Sequence, residues 1–152
     1  MKNKIRYALW ACAMLSMSLP VAAQAQTVAA VNAKLDSLLG DHTGFAEEFK
    51  NLQQNIAHGE TFAQEYEFPV KITVDGTDVS FDTPHAFADA YNTIVTPEIV
   101  DVVKNQKYKD LMVSSDGVMF GSGQLWIAAY CLDGENCTSI SWEIAAINHG
   151  QP

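Results

Sequence analysis

The chain has 152 residues, of which 18 are Asp or Glu and 9 are Lys or Arg. This length suffices for one domain with a single hydrophobic core. The acidic excess argues against nucleic acid and against an anionic lipid surface as partners, since both require a basic footprint.

The N-terminus has the pattern of a secretory signal peptide. Its basic residues lie within the first six positions, residues 7–19 are mostly apolar, and Ala23 and Ala25 provide the small residues that a signal peptidase requires before Gln26. The apolar run is too short for a membrane span of about 20 residues, so we expect no stable membrane insertion. We expect removal of residues 1–25, with cleavage after Ala23 as the alternative, and a single domain over residues 26–152 in the periplasm or outside the cell.

The cysteines agree with export. Cys12, in the segment LWAC, resembles the cysteine of a lipoprotein box, so lipidation there is an alternative to removal. Cys131 and Cys137 remain as an even pair, for which a disulfide is the default in an exported chain. A redox pair more typically has C-x-x-C spacing at a helix start. We therefore predict a structural disulfide.

Two helical patterns follow Gln26. Apolar residues recur at helical spacing on either side of Gly40, and the second pattern stops at Gly59. The apolar positions are Val28, Val31, Leu35, Leu38 and Leu39, then Phe45, Phe49, Leu52 and Ile56. This predicts two amphipathic helices, or one helix broken at residues 40–44.

A β-hairpin and two short helices are predicted next. The segment FPVKITVDGTDVSF alternates apolar and polar residues around Asp75-Gly76, which is the strongest short hairpin signal. Thr83-Pro84 and Thr96-Pro97 each predict an N-cap followed by proline at the first helical position. On the first of these helices, we expect a buried face formed by Phe87, Tyr91 and Ile94.

The remainder, from Leu111, has the pattern of strands separated by turns. In GVMFGSGQLWIAAYCLDGENC, residues 117–137, the glycines do not form a phosphate loop, because Gly123 leads into another strand and no Lys is near. We predict three or four antiparallel strands. The fold class is therefore α+β, with N-terminal helices, a β-hairpin, short central helices and a curved sheet packed on the helices.

The predicted disulfide suggests a strand register. If Cys131 faces Cys137, then Trp126 faces Trp142, and alternation places both on one face of the sheet with Tyr130. This face is either an aromatic wall that lines a pocket or part of the core. Packing in the core is the more usual role of aromatic side chains.

His85 and Asp89 are four residues apart on a predicted helix and so share one of its faces. Such a pair suits general acid–base catalysis or metal ligation. A solvated surface pair is favoured, because neither H-E-x-x-H nor any comparable ligand set accompanies it. We therefore predict no metal site and no cofactor.

The order of elements resembles the nuclear transport factor two-like, cystatin-like α+β superfamily over residues 28–148. The segments FPVKITVDG, AFADAYNTIVTPEIV and DGVMFGSGQLWI are also similar to stretches in small exported bacterial proteins of unknown function. The resemblance implies a sheet that wraps around helices to form a cone with a pocket at its open end. Enzymes of this superfamily use an Asp base with Tyr or His partners there, and the conceivable equivalents are Tyr66, Asp89, Tyr91 and Trp126.

Because fold does not decide function, three functions remain open. The first is an exported, soluble, non-enzymatic domain that binds a small molecule or a protein partner, for example as an inhibitor of a secreted enzyme. Its candidate ligand contacts are Tyr66, Asp89, Tyr91, Trp126 and Trp142. The alternatives are a small isomerase, dehydratase or cyclase-like enzyme that uses the cone pocket, and a structural accessory protein of the cell envelope.

N-terminal sequencing of the exported protein is expected to show a chain that begins near Gln26, because Ala23 and Ala25 precede that residue at the positions a signal peptidase reads. An exported chain that still contains residues 2–19, or one that carries a diacylglyceryl group on Cys12, would contradict this prediction.

Overall fold

A computed structural model describes residues 26–134, 137 and 139–150, so the predicted signal peptide lies outside the described residues. The described part of the chain is α+β, as predicted. Its helices are α1 (Val28–Leu38), α2 (His42–Asn55), α3 (Gly59–Glu65), α4 (Pro84–Ile94) and α5 (Pro97–Asn105), followed by a 3-10 turn at Tyr108–Asp110. Its strands are β1 (Val70–Val74), β2 (Thr77–Phe81), β3 (Met112–Ser114), β4 (Gly117–Phe120), β5 (Leu125–Cys131) and β6 (Ile140–Ile147).

The strands form one curved, open sheet in the order β2-β1-β6-β5-β4-β3. All neighbouring strands are antiparallel except β1 and β6, which are parallel. Alternate residues of the strands join the buried faces of the helices in one apolar core. The helices therefore cover one face of the sheet, and the strand residues that alternate with the buried ones lie on the other face.

The N-terminal segment forms two separate helices, α1 and α2, which is one of the two predicted alternatives. Gly40 ends α1 with a φ of 112°, a conformation that glycine adopts without steric cost. Asp41 then caps α2, because its carboxylate accepts hydrogen bonds from the backbone N–H groups of Thr43 and Gly44.

Helix α3 differs from the sequence prediction, in which Gly59 ends a helix. Gly59 instead begins α3 and packs so closely against Tyr91 that an added Cβ would clash with the Cβ, Cγ and Cδ1 atoms of that side chain. The glycine therefore serves close approach between α3 and α4 rather than helix termination.

The hairpin and the first central helix are confirmed. Asp75 and Gly76 have positive φ angles of 50° and 78°, as the predicted two-residue turn requires. Thr83 caps α4 by accepting a hydrogen bond from the N–H of Ala86, and the predicted face of Phe87, Tyr91 and Ile94 is buried. The expected side-chain cap at Thr96 is wrong, because Thr96 precedes α5 without accepting a capping hydrogen bond.

The Cys131–Cys137 disulfide is confirmed, with the two Cα atoms 4.8 Å apart, but the register inferred from it is wrong. Cys131 lies opposite Ile140, Ala129 opposite Trp142, and Trp126 opposite Ala146. The disulfide ties the end of β5 to the connection before β6, so the two cysteines are not a facing pair. Consequently, Trp126 and Trp142 lie on opposite faces of the sheet, and the predicted aromatic wall does not form.

A hydrogen-bonded histidine fastens the end of the chain to the hairpin. The backbone N–H of His149 donates to Asp75 at 2.7 Å, its Nδ1 lies 2.8 Å from the same carboxylate, and its Nε2 lies 2.9 Å from the carbonyl oxygen of Ile94. Because both ring nitrogens face acceptors, the protonated ring satisfies both contacts. The hydrogen bonds to Asp75 raise the pKa of His149 above its ordinary value of 6.5, and those from His149 lower the pKa of Asp75 below 3.8.

This contact predicts a pH-dependent contribution to stability. A raised histidine pKa stabilises the fold below 6.5 and loses that effect as pH rises through the folded-state pKa, whereas a lowered Asp pKa stabilises above 3.8. The free energy of unfolding of the wild type should therefore exceed that of His149→Gln by more at about pH 5.5 than at about pH 9. Urea denaturation at both pH values measures the difference.

The control is His85→Gln, which replaces a histidine whose side chain is 88% exposed. Its effect on the free energy of unfolding should be small at both pH values. A His149→Gln effect that did not change with pH, or that His85→Gln reproduced, would show that the contact between His149 and Asp75 does not stabilise the fold through protonation.

Candidate functional site

A cleft of about 500 Å³ opens between the first three turns of α2 and the start of β6. We call it the α2–β6 cleft. One wall is the polar side of α2. The floor and the opposite wall are formed by Tyr66, which follows α3, and by β6. The lining residues are Asp41, Gly44, Glu47, Glu48, Asn51, Tyr66, Ile140, Ser141 and Trp142.

The helical repeat of α2 explains why this wall is polar. Gly44, Glu48 and Asn51 recur at helical spacing and line the cleft. The next stripe around the helix is apolar and buried against the sheet, and consists of Phe45, Phe49 and Leu52. The same amphipathic helix therefore anchors itself in the core and presents carboxylates and a glycine gap to the cleft.

Trp142 forms the aromatic part of the floor and is only 8% exposed. Its ring packs edge-on against Phe45, with centroids 4.8 Å apart at an interplanar angle of 65°. Among the described residues, none accepts a hydrogen bond from its indole N–H, although every fully buried side-chain nitrogen or oxygen has a partner. The N–H is therefore not sealed in the core, and it opens into the cleft that Trp142 lines.

Gly44 leaves the indole N–H accessible. A Cβ added to Gly44 would lie 3.5 Å from Trp142 Nε1 and 3.5 Å from Asp41 Oδ2. These two atoms are thus at most about 7 Å apart. A hydrogen-bond donor and a carboxylate therefore face the same small volume.

The Asp41 carboxylate is negatively charged over a wide pH range. The backbone N–H groups of Thr43 and Gly44 hold its pKa below the ordinary value of 3.8. Those two hydrogen bonds use part of its accepting capacity, because an ionised carboxylate has about four lone-pair sites. Asp41 can therefore accept a further hydrogen bond from a ligand while it caps α2.

Tyr66 stiffens the floor. Its hydroxyl accepts a hydrogen bond from the backbone N–H of Ile144 at 3.1 Å, in the interior. Burial raises the pKa of Tyr66 well above 10.0, and the nearby Glu48 and Glu143 raise it further. Tyr66 is therefore a neutral phenol that ties the segment after α3 to β6.

The structure brings together two of the five predicted contact residues, since Tyr66 and Trp142 both line the α2–β6 cleft. Tyr91 lies in the core with 1% exposure, where its hydroxyl donates to the carbonyl oxygen of Ile56. Asp89 is an exposed partner of His85, 3.4 Å away, beside another cleft. Trp126 lies on the uncovered face of the sheet, opposite Met119 on β4.

Sequence reasoning missed the carboxylates of this cleft, Asp41, Glu47 and Glu48. A signal existed, because Gly44, Glu48 and Asn51 form a polar stripe beside the apolar stripe of the same helix.

Asp36, Asp41 and His42 form an exposed cluster whose potential ligand atoms lie within 4.8 Å of one another. Existing hydrogen bonds account for this arrangement. Asp36 accepts from the backbone N–H and the ring of His42, and Asp41 accepts from the first backbone N–H groups of α2. The cluster is thus explained as a helix-start contact without a metal ion.

The chain matches no protein-family model, and no curated protein or solved structure matches it at a significant level. Within residues 26–134, 137 and 139–150, no helix is both long enough and apolar enough to cross a membrane.

Tyr66→Phe should lower the free energy of unfolding by about 1–3 kcal/mol, because it leaves the buried N–H of Ile144 without its acceptor. Denaturant unfolding measures the loss. Tyr130→Phe is the matched control, since Tyr130 is 42% exposed and its hydroxyl can remain hydrated. Equal effects of the two substitutions would contradict the role assigned to Tyr66.

Proposed function

We propose that this protein is an exported, non-enzymatic binding domain that recognises a small molecule or a protein partner in the α2–β6 cleft. The observation that carries the proposal is the indole N–H of Trp142. It is a hydrogen-bond donor on a largely buried, firmly packed side chain, without an acceptor among the described residues. A ligand acceptor would satisfy it at little cost in side-chain ordering.

Export is supported by two independent features. The N-terminal sequence has the basic, apolar and small-residue regions of a signal peptide. Cys131 and Cys137 are bonded, and disulfides form and persist mainly in oxidising compartments. We therefore place the protein in the periplasm or outside the cell.

The form of the cleft also supports binding. Small-molecule sites are concave and largely preformed, with a few polar groups placed on a rigid apolar support. Here Phe45 supports Trp142 from below, and the hydrogen bond from Ile144 fixes Tyr66. The rim carries charged groups in contact with solvent, because Glu47 and Asp41 are exposed.

Our proposal includes the resemblance to the nuclear transport factor two-like superfamily, which is based on the order of elements. In this interpretation, the α2–β6 cleft corresponds to the pocket at the open end of the cone. The isomerase-like alternative requires a carboxylate enclosed in an apolar cavity. Its candidate base, Asp89, has a side chain that is 69% exposed. Binding is therefore the better-supported function.

The proposal is tested with protein whose tryptophans carry ¹⁵N in the indole ring. The processed chain has two tryptophans, because Trp10 belongs to the predicted signal peptide. Addition of a small-molecule and protein extract from the protein's own compartment should shift the Trp142 indole resonance. The Trp126 resonance should not move, since Trp126 lies on the other face of the sheet, and it serves as an internal control.

Native mass spectrometry of protein purified from that compartment should show the same ligand or partner as an added mass. Gly44→Ala should reduce both signals, because its methyl group would lie 3.5 Å from the indole nitrogen. Equal shifts of both tryptophans, or a retained mass that Gly44→Ala does not affect, would place binding outside the α2–β6 cleft.

A further inference from the structure

We propose that the α2–β6 cleft selects ligands in which a positive charge lies close to a neutral hydrogen-bond acceptor, as in a basic side chain or the N-terminus of a peptide. This inference rests on the proposed binding function and names its ligand class. It depends on the juxtaposition of the Asp41 carboxylate and the Trp142 indole N–H on either side of Gly44.

The charge of the cleft selects the first feature of the ligand. Its described lining residues include three carboxylates, Asp41, Glu47 and Glu48, and none is Lys, Arg or His. The surroundings have the same sign, because residues 26–152 contain 18 acidic and 6 basic side chains. Such a field concentrates cations at the opening and repels anions. Charge-assisted hydrogen bonds to carboxylates are also stronger than neutral ones.

The indole N–H selects the second feature. Among the neutral polar groups of the lining, the Ser141 hydroxyl already donates to Glu143 at 3.0 Å, and the Tyr66 hydroxyl accepts from the N–H of Ile144. Trp142 can only donate, and no described residue accepts from it. A ligand that binds here therefore gains most if it brings an acceptor to the indole.

The acceptor should be neutral rather than a carboxylate. An anionic acceptor bound to the indole N–H would lie one hydrogen-bond length from Trp142 Nε1, which is itself at most about 7 Å from Asp41 Oδ2. At such a separation the two negative charges repel each other. An amide carbonyl avoids this repulsion. In a peptide N-terminus, the ammonium and the first carbonyl oxygen are about 3 Å apart by standard backbone dimensions. In a basic residue, the separation is longer, so the two sources of this chemistry differ in length.

The probes are N-acetylarginine methylamide, which offers a basic side chain, and alanylalanine amide, which offers an N-terminal ammonium. The neutral control is N-acetylcitrulline methylamide, which matches the arginine probe in shape without its charge. The readout is the Trp142 indole resonance, with Trp126 as the reference. At least one cationic probe should shift Trp142 saturably, and the arginine probe should bind about tenfold or more tightly than citrulline if the side chain is the source.

Three substitutions assign the effect to individual groups. Asp41→Asn removes the charge and keeps a capping side chain, since Asn and Asp are equivalent N-caps, and it should weaken cation binding several-fold. Asp89→Asn removes an equal charge beside a different cleft and should leave affinity unchanged. Gly44→Ala should reduce the Trp142 shift, because its methyl group would lie 3.5 Å from the indole nitrogen, without loss of thermal stability, because alanine favours the helix more than glycine does.

The two cationic probes distinguish the source, since the tighter of them identifies a side chain or an N-terminus as the group that is bound. Two results would overturn the ligand class. The first is that the citrulline probe binds as tightly as the arginine probe while alanylalanine amide does not bind. The second is that Asp41→Asn and Asp89→Asn weaken binding of the cationic probes equally. If neither cationic probe moves Trp142 but the native extract does, the ligand class is wrong and the binding function stands. If neither the probes nor the extract move it, both proposals fail.

Discussion

The rest of the structure depends on the alternation of β6, that is, on which of its residues face the helices and which face the other side of the sheet. Ile127 pairs with Ile144, but Trp126 pairs with Ala146, so β6 contains one more residue than β5 across this step. Such a β-bulge reverses the alternation of the strand that carries it. Ile144 and Ile147 are both buried, although they are three residues apart. Without the bulge, one of these isoleucines would face solvent.

Because β6 lies in the middle of the sheet, its alternation is transmitted to both neighbours. Its first half aligns Trp142 with Ala129 of β5, and its last residues pair with Thr73 and Val74 of β1. Trp142 consequently faces the helices and packs on Phe45 of α2. The cleft exists because α2 begins at this point, with Asp41 and Gly44 in its first turn leaving space above the indole.

In Trp142, packing and the proposed recognition are thus supplied by different atoms of one side chain. The indole ring of Trp142 and the ring of Tyr66 belong to the core, and their burial stabilises the fold. The Trp142 N–H and the carboxylate of Asp41 remain directed at the cleft. A rigid floor with a charged, hydrated rim suits the proposed binding of a cation without reorganisation of the core, since little side-chain entropy remains to be lost.

Local patterns in the sequence were sufficient for much of this fold. Asp75-Gly76 between alternating runs identified the hairpin, and Thr83-Pro84 identified the start of α4, because turns and caps depend on adjacent residues. The cysteine count identified the disulfide, but the inferred register was wrong. Bonded cysteines need nearby Cα atoms, here 4.8 Å apart, and this condition can be met without a facing pair in a ladder.

The bulge and the cleft were not predictable in the same way. Ala145 and Ala146 are both small, so their side chains give no indication of which one is the extra residue. The cleft joins α2 to β6, about one hundred positions later, and only the assembled sheet brings these segments together. Of the predicted contact residues, Tyr66 and Trp142 meet there, whereas Trp126 does not because its alternation is fixed by Leu125 and Ile127, which are buried.

The position of the Trp142 indole tests this account most directly. In a nuclear Overhauser spectrum of the ¹⁵N-labelled protein without ligand, the indole proton of Trp142 should show a cross-peak to an α-proton of Gly44. The reason is that a Cβ at Gly44 would lie 3.5 Å from the indole nitrogen. Cross-peaks between the rings of Trp142 and Trp126 instead would show that the two tryptophans share a face, and would contradict the register, the bulge and the cleft together.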